Sequence, residues 1–497
     1  MSKTRVFLIV ILAIIIIFFM IHGIGKYIIN NKGVKQMDAI DKIRFSYNYG
    51  LVYKLGVLLS RDFDTKYLFY LYKNDPIIIN FHRGLKNKYG RIAVIDTMIK
   101  KFYVVLDPEL AKKILKRDDV FSSGFTKELV FQNIMPKNIG VCRGLDRKIK
   151  RHFNEELFGT KKMSVIFNGL KPIENGADYK ETNIKKQLNN RLHGEYSLNY
   201  KFNNAKSIIK ECLKTQPLKT DDFDNLAYKI IGKLYIGDNS EESITILRSF
   251  ADYVRMDSNL SPHALFNKVF TSKKERKQLL ELINKQFYKN NNGNSLITHI
   301  KMYIEQFNNG VENDIINEFP HWFIPIIEVS KMMIPNLLHI ILSIPDIYER
   351  VISEIDQNEY NIYSNKTFLH HCVIEHLRLY NPINITVVRR SLANTVIDGI
   401  EIKKDSEVLV LFSSILRNEK QFYNPDNFIP ERWVDKSVEE QHIVFGVGEQ
   451  RCPSINFTPF YYKCYIYELL KTYNYKQIKN IYKGRKVPLG ISKVDLI

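Results

Sequence analysis

One segment combines residue types and spacing that could do chemistry: Phe445-Gly446-Val447-Gly448-Glu449-Gln450-Arg451-Cys452-Pro453-Ser454. It sets a cysteine after a glycine-punctuated turn and before an apolar run, Phe457 to Leu470, that reads as a helix. A thiol there meets backbone N–H groups and the positive end of a helix dipole, and both favour the thiolate. A thiolate held in a tight backbone loop is suited to be an axial ligand of haem iron, where it pushes electron density onto bound oxygen. A cysteine ahead of a helix also reads as a small buried apolar residue. Cys464, inside the expected helix, fits that second reading better.

Two further clusters precede this segment. Glu375-His376-Leu377-Arg378 puts an acid and a base at i and i+3, on one face of an expected helix. Alone, such a pair on a surface is worth under about 1 kcal/mol. Phe428-Ile429-Pro430-Glu431-Arg432-Trp433 supplies a second arginine. The order of E-x-x-R, then F-x-P-E-R-W, then Phe445 and Gly448 ahead of Cys452, resembles the cytochrome P450 family of haem-thiolate oxygenases. Tyr103 to Ala111, with Asp107-Pro108-Glu109, and the following Val120-Phe121-Ser122-Ser123 resemble the family's strand, helix and turn. The likeness covers roughly residues 80 to 160 and 340 to 480.

The resemblance implies a fold that is mainly α with a small β lobe, preceded by one N-terminal transmembrane helix. It implies residues 1–36 as membrane anchor and flank and 37–497 as one haem-thiolate catalytic domain. Cys452 is then the iron ligand, with Phe445 shielding the sulfur and Gly448 letting the backbone approach. Glu375, Arg378 and Arg432 become a buried structural network that braces the haem side. Arg389, eleven residues past Arg378, and Arg151 match propionate-binding arginines. Arg147 stands where the family has tryptophan, Gln450 where it has arginine, and Ser454 where it has glycine. The Gln450 amide can still donate to a propionate. Ile383, Ile385 and Val387 are candidates for the pocket above the haem.

Family monooxygenases carry A-G-x-D/E-T about twenty residues before a proline resembling Pro345. Counting back reaches Pro325-Ile326-Ile327-Glu328-Val329. The acid survives as Glu328, but Val329 has no hydroxyl for bound oxygen, and Ser330 sits about 100° further round a helix. Glu328 and Ser330 are the candidate catalytic residues. The implied reaction is insertion of one oxygen atom into a lipophilic substrate, a sterol, fatty acid or similar, with electrons from NADPH through a flavoprotein reductase. Val329 opens an alternative, a haem-thiolate isomerase or peroxygenase. Together with Arg147, Gln450 and Ser454 it opens another, a catalytically degenerate, membrane-tethered haem-binding or scaffold protein.

Val6 to Ile21 is sixteen apolar residues without interruption, extended to about twenty by His22-Gly23-Ile24-Gly25. That length crosses a bilayer core as a helix. A cleaved signal peptide is the competing reading, with a shorter apolar core and a small-residue cleavage site. Lys3 and Arg5 before the run, and Lys26, Lys32 and Lys35 after it, favour an endoplasmic-reticulum-like anchor with a cytosolic body. The net charge of +20 suits an anionic leaflet or an acidic electron donor. No basic run with interleaved aromatics points to nucleic acid, and none is expected as a partner. Five cysteines without paired spacing exclude a disulfide framework or a zinc site. Gly446-Val447-Gly448 lacks the third glycine of a dinucleotide turn. From Asp314 to Ile344 the chain is largely apolar, and Pro320, Pro325 and Pro335 predict a kinked or broken helix there.

Overall fold

The computed structural model describes residues 35–38, 41, 76–96, 101–124, 198–213, 222–258, 274–289, 312–357, 364–380 and 387–473, with isolated residues within 135–158, 295–301, 361–362 and 475. The expected anchor, Val6 to Ile21, lies outside the described residues, as do Ile383 and Ile385. In chain order the helices are α1 Pro76–Tyr89, α2 Pro108–Leu115, α3 Leu198–Leu213, α4 Asp222–Ile231, α5 Glu241–Ser258, α6 Lys274–Tyr288, α7 Glu312–Glu328, α8 Ile334–Ser343, α9 Pro345–Ile355, α10 Phe368–Leu379, α11 Phe412–Leu416, α12 Val438–Gln441 and α13 Phe457–Thr472. The strands are β1 Lys35–Gln36, β2 Ile92–Asp96, β3 Lys101–Val105, β4 Phe121–Ser123, β5 Val387–Ser391, β6 Thr395–Ile397, β7 Ile400–Ile402 and β8 Glu407–Val410.

The chain forms two compact units. The first draws on Met1–Glu128, Asn381–Pro425 and Val447–Gln450, and the second on Leu129–Tyr380, Asp426–Gly446 and Arg451–Ile497. The first unit holds both sheets. One has the order β1-β2-β3-β8-β5-β4, and the other is the β6-β7 hairpin. Tyr89 closes α1, and β2 begins three residues later at Ile92. Ile92, Ala93 and Val94 are fully buried, as suits an interior strand with apolar residues on both faces. β3 pairs antiparallel with β2 and parallel with β8, and so joins distant parts of the chain. At the expected D-P-E start, the Asp107 side chain accepts from Leu110 N at 3.0 Å and Pro108 occupies the first turn of α2.

The second unit is helical. Its central rod runs from α7 into α8 without a break, so of the two outcomes expected there, a kinked or a broken helix, it is not the broken one. Val329–Met333 form a π-helical turn between the two. Pro335 has no N–H to give the carbonyl four residues back, Lys331, so the ordinary ladder cannot run through this point. A wider π turn absorbs the mismatch, and such turns recur at functional sites. Glu318–Ser343 is long and apolar enough to span a bilayer, yet 94% of its most apolar window is buried inside the protein. Here it is a core rod, and α8 is buried along its whole length.

α10 lies in the same core. Glu354 of α9 caps it, accepting from Phe368 N at 2.6 Å and Leu369 N at 2.9 Å, and Thr367 accepts from His370 N at 3.2 Å. His376, fully buried, meets Asn336 Oδ1 at 2.8 Å and stacks on Tyr380 with ring centres 4.9 Å apart. Burial pushes the His376 pKa down to about 3. The folded protein therefore holds this ring neutral, while the unfolded chain takes up its proton near the ordinary 6.5. The unfolded state binds more protons between these values, so stability falls as pH drops from about 6.5 to about 3. His376→Phe is expected to flatten that decline by one proton's linkage, about 1.4 kcal/mol per pH unit. Urea midpoints of both proteins across this window check it, and parallel profiles would contradict it.

Candidate active site

In the second unit, Cys452 N–H donates to Phe445 C=O at 2.8 Å, closing a loop of eight residues. Phe445 ends a 3-10 turn, His442–Phe445. Gly446 follows with φ 101°, in the region that favours glycine. The residue Cys452 keeps some exposure, but protein atoms enclose the thiol closely enough that desolvation pushes its pKa up. Hydrogen bonds from Ser454 N–H and Ser454 Oγ, and the nearby Arg151 charge, pull the other way without cancelling it. The expectation that loop and dipole alone favour a free thiolate is thus too simple. Desolvation holds the group as a thiol until a cation compensates it.

Arg151 is buried. Its Nε donates to Glu155 Oε1 at 2.7 Å, and its Nη1 donates to the Arg451 carbonyl. Its Nη2 is enclosed with no hydrogen-bond partner. A buried guanidinium with an open N–H calls for a further acceptor. Arg147, one turn earlier, donates from Nη1 to Ile139 O at 2.8 Å. Glu155 was missed from the sequence, although its i+4 spacing from Arg151 was a usable signal.

The π turn also sets Val329 and Ser330. Val329 is buried and has no polar side-chain atom. Ser330 Oγ, fully buried, donates to Ile326 O at 2.7 Å and lies 2.7 Å from the Tyr461 hydroxyl on α13. Both polar contacts of this hydroxyl are therefore taken by protein. Tyr461 was not foreseen, because nothing local links residues 131 apart. Glu328 is the last residue of α7, and its side chain lies outside the described residues.

Glu375 and Arg378 are fully buried on α10. Glu375 accepts five hydrogen bonds: from Arg378 Nε at 2.9 Å and Nη2 at 2.8 Å, Ile429 N at 2.9 Å, Arg432 Nε at 3.0 Å and Trp433 Nε1 at 2.9 Å. Arg378 Nη2 also reaches Asn427 O at 3.2 Å. Burial pushes the Glu375 carboxyl up, but Arg378, Arg432 and the Ile429 N–H outweigh it and hold the pKa below the ordinary carboxylate range.

In the first unit, Gly448 has φ 82°, and a Cβ there would lie 2.0 Å from Leu115 O. Gln450 Nε2 donates to Phe121 O at 2.9 Å, so at least one amide hydrogen is spent on β4. Arg389 is buried on β5, between β4 and β8, with Nη1 donating to Val388 O at 3.1 Å. Val387 is half-buried at the start of the same strand.

The cytochrome P450 family model matches residues 235–492. The chain belongs to the cytochrome P450 family. It is 23% identical over 283 residues to cytochrome P450 81F4 of Arabidopsis thaliana, a match covering 52% of this chain and 56% of that one. The chain thus spans little more than half of that relative's length. It is 20% identical to cytochrome P450 3A15 of Cavia porcellus over 493 residues, 91% of each. Among solved structures, a zebra fish cytochrome P450 with abiraterone superposes with a TM-score of 0.56 at 15% identity, covering 80% of this chain and 91% of that one. A retinoic-acid-bound cyanobacterial P450 gives 0.55 at 15% identity, covering 79% and 87%. The fold is accordingly the P450 fold, mainly helical with small sheets. Its cofactor is haem, held in P450s through a cysteine thiolate. The open Arg151 Nη2 suits a carboxylate, and the Cys452 thiol, in a loop tied back to Phe445, is of the right type for a metal ligand. The residues present fit the group.

Proposed function

We propose that this P450 is a haem-thiolate monooxygenase, anchored by Val6 to Ile21 in an endoplasmic-reticulum-like membrane with its body cytosolic. It inserts one oxygen atom into a lipophilic small molecule, with electrons from NADPH through a flavoprotein reductase. The observation that carries this reading is the Cys452 loop, where the backbone is tied to Phe445 and the sulfur is enclosed near Arg151. When bound, haem supplies oxygen activation at iron, promoted by thiolate donation. Cys452 is the ligand, and Phe445 shields its sulfur. Gly448 permits close backbone approach. Arg151 and Arg389 bind the propionates, with Gln450 offering its second amide hydrogen. Glu328 handles a proton at its carboxyl oxygen. Val387, with Ile383 and Ile385, lines the substrate side. Similar structures that hold abiraterone or retinoic acid support a lipophilic class.

Val329 and the engaged Ser330 hydroxyl favour a second reading, in which the protein is an isomerase or uses a peroxide directly. Haem-loaded protein with a lipid library separates the two. Oxygenated products that need both NADPH and reductase support the monooxygenase. Turnover with peroxide alone, or a rearranged product without reductant, would establish the second reading. A haem-loaded protein inert under every condition would leave a scaffold.

A further inference from the structure

Glu155, a carboxylate only 5% exposed, lies one turn beyond Arg151 and accepts from its Nε at 2.7 Å. Arg151 Nη1 is held separately by the Arg451 carbonyl, next to Cys452. A guanidinium is planar, and its five N–H bonds form a fixed fork. Anchoring two of its nitrogens to two different acceptors therefore fixes where the third points. That third nitrogen, Nη2, is enclosed and has no hydrogen-bond partner. The chain around Glu155 is fixed as well. Asn154 Nδ2 donates to Lys150 O at 2.8 Å, and Asn154 Oδ1 accepts from Trp322 Nε1 on α7. Lys150 Nζ lies 3.4 Å from Glu318 Oε1 on the same helix. A buried ion pair adds little net stability over apolar side chains of similar volume. What the Glu155 carboxylate adds is direction.

We propose that Glu155 is a positioning residue for cofactor binding, which turns the Arg151 guanidinium so that Nη2 faces a haem propionate. The carboxylate itself touches neither haem nor substrate and acts only through Arg151. A hydrogen bond from a charged donor to a carboxylate is short and strong when aligned, and it weakens steeply as the angle closes. Aim therefore decides what Arg151 contributes. Glu155 also offsets part of the Arg151 charge, which by itself would weaken the attraction for a second carboxylate. These two effects oppose each other, and side-chain length separates them. Glutamine has the length without the charge, and aspartate has the charge without the length. The inference rests on the reading of Arg151 as a propionate donor.

The test is the rate of haem loss from the haem-loaded protein to excess apomyoglobin. It compares wild type, Glu155→Gln and Glu155→Asp, each alone and combined with Arg151→Ala. Glu155→Asp withdraws the acceptor by one methylene and should lose haem about tenfold faster, roughly 1.4 kcal/mol. Glu155→Gln keeps an acceptor oxygen within reach and should stay within about threefold of wild type. Arg151→Ala should itself speed the loss about tenfold, and in that background neither change at 155 should add more than about twofold. Urea midpoints of the haem-free proteins report folding separately. A merely structural role would move those midpoints and speed haem loss by equal factors in both backgrounds, which would overturn the inference. So would wild-type rates in both single variants at 155, or fast loss from Glu155→Gln beside wild-type behaviour of Glu155→Asp, the mark of charge pairing. An unchanged rate in Arg151→Ala, with a thiolate-type ferrous–CO band, would overturn the Arg151 assignment and this inference while leaving the haem-thiolate reading intact. Absence of that band from the wild type would overturn all three.

Discussion

Glu375→Ala is expected to remove about 3–5 kcal/mol of stability, the usual result of stripping one partner from a buried charge network. That is a large share of the roughly 5–15 kcal/mol that holds a domain folded. The substitution strands Arg378, fully buried beside it, and leaves Arg432 and the Trp433 and Ile429 N–H groups without their common acceptor. The Asn427 carbonyl, which accepts from Arg378 Nη2 at 3.2 Å, stays in place. Urea unfolding of the haem-free protein gives the size of the loss. Arg432→Ala should cost less, because the Arg432 side chain is 10% exposed and water can replace part of what it gives. A loss under about 1 kcal/mol for Glu375→Ala would mean the network behaves like a surface ion pair.

Gly448→Ala is the second large effect. The residue sits at φ 82°, where an L side chain costs about 1–2 kcal/mol. The added Cβ would also lie 2.0 Å from Leu115 O, 2.9 Å from Leu115 C and 3.2 Å from Lys116 Cα. These are backbone atoms, so no rotamer change relieves the overlap and the end of α2 must move. The expected loss is about 3 kcal/mol, at the upper end for a single substitution, together with weaker haem retention. Gly446→Ala provides the contrast. Its φ of 101° is also positive, but its Cβ would approach nothing closer than 3.4 Å, at Arg451 Cα. It should cost about 1 kcal/mol. Denaturation midpoints and the haem retained after gel filtration compare the two. Equal losses would show that backbone angle, and not the Leu115 approach, sets the requirement at Gly448.

The ion-pair network was legible through the family resemblance, because Glu375, Arg378 and Arg432 fall on its motif positions, while their charge and spacing alone fit a surface pair equally well. Its other two donors were not, since Trp433 and the Ile429 N–H lie 58 and 54 residues from Glu375 and no periodicity links them. The helix start at Asp107-Pro108 was legible because a cap and a proline are local signals. The central rod was legible only in part. Three prolines mark a kinked or broken helix, but the π turn that carries α7 into α8, and the burial of α8, have no local signal. At the site, residue types were readable but directions were not. Gln450 spends an amide hydrogen on a carbonyl 329 residues away, and Ser330 turns to Tyr461.

The most direct test of the haem-thiolate reading is the reduced carbon-monoxide difference spectrum of haem-loaded protein beside Cys452→Ala. Wild-type protein should give the strongly red-shifted Soret band of a thiolate-ligated haem, and Cys452→Ala should lose it while remaining folded by circular dichroism. The same band in both proteins would assign the ligand elsewhere. No haem signal from well-folded wild-type protein would contradict the enzyme reading altogether.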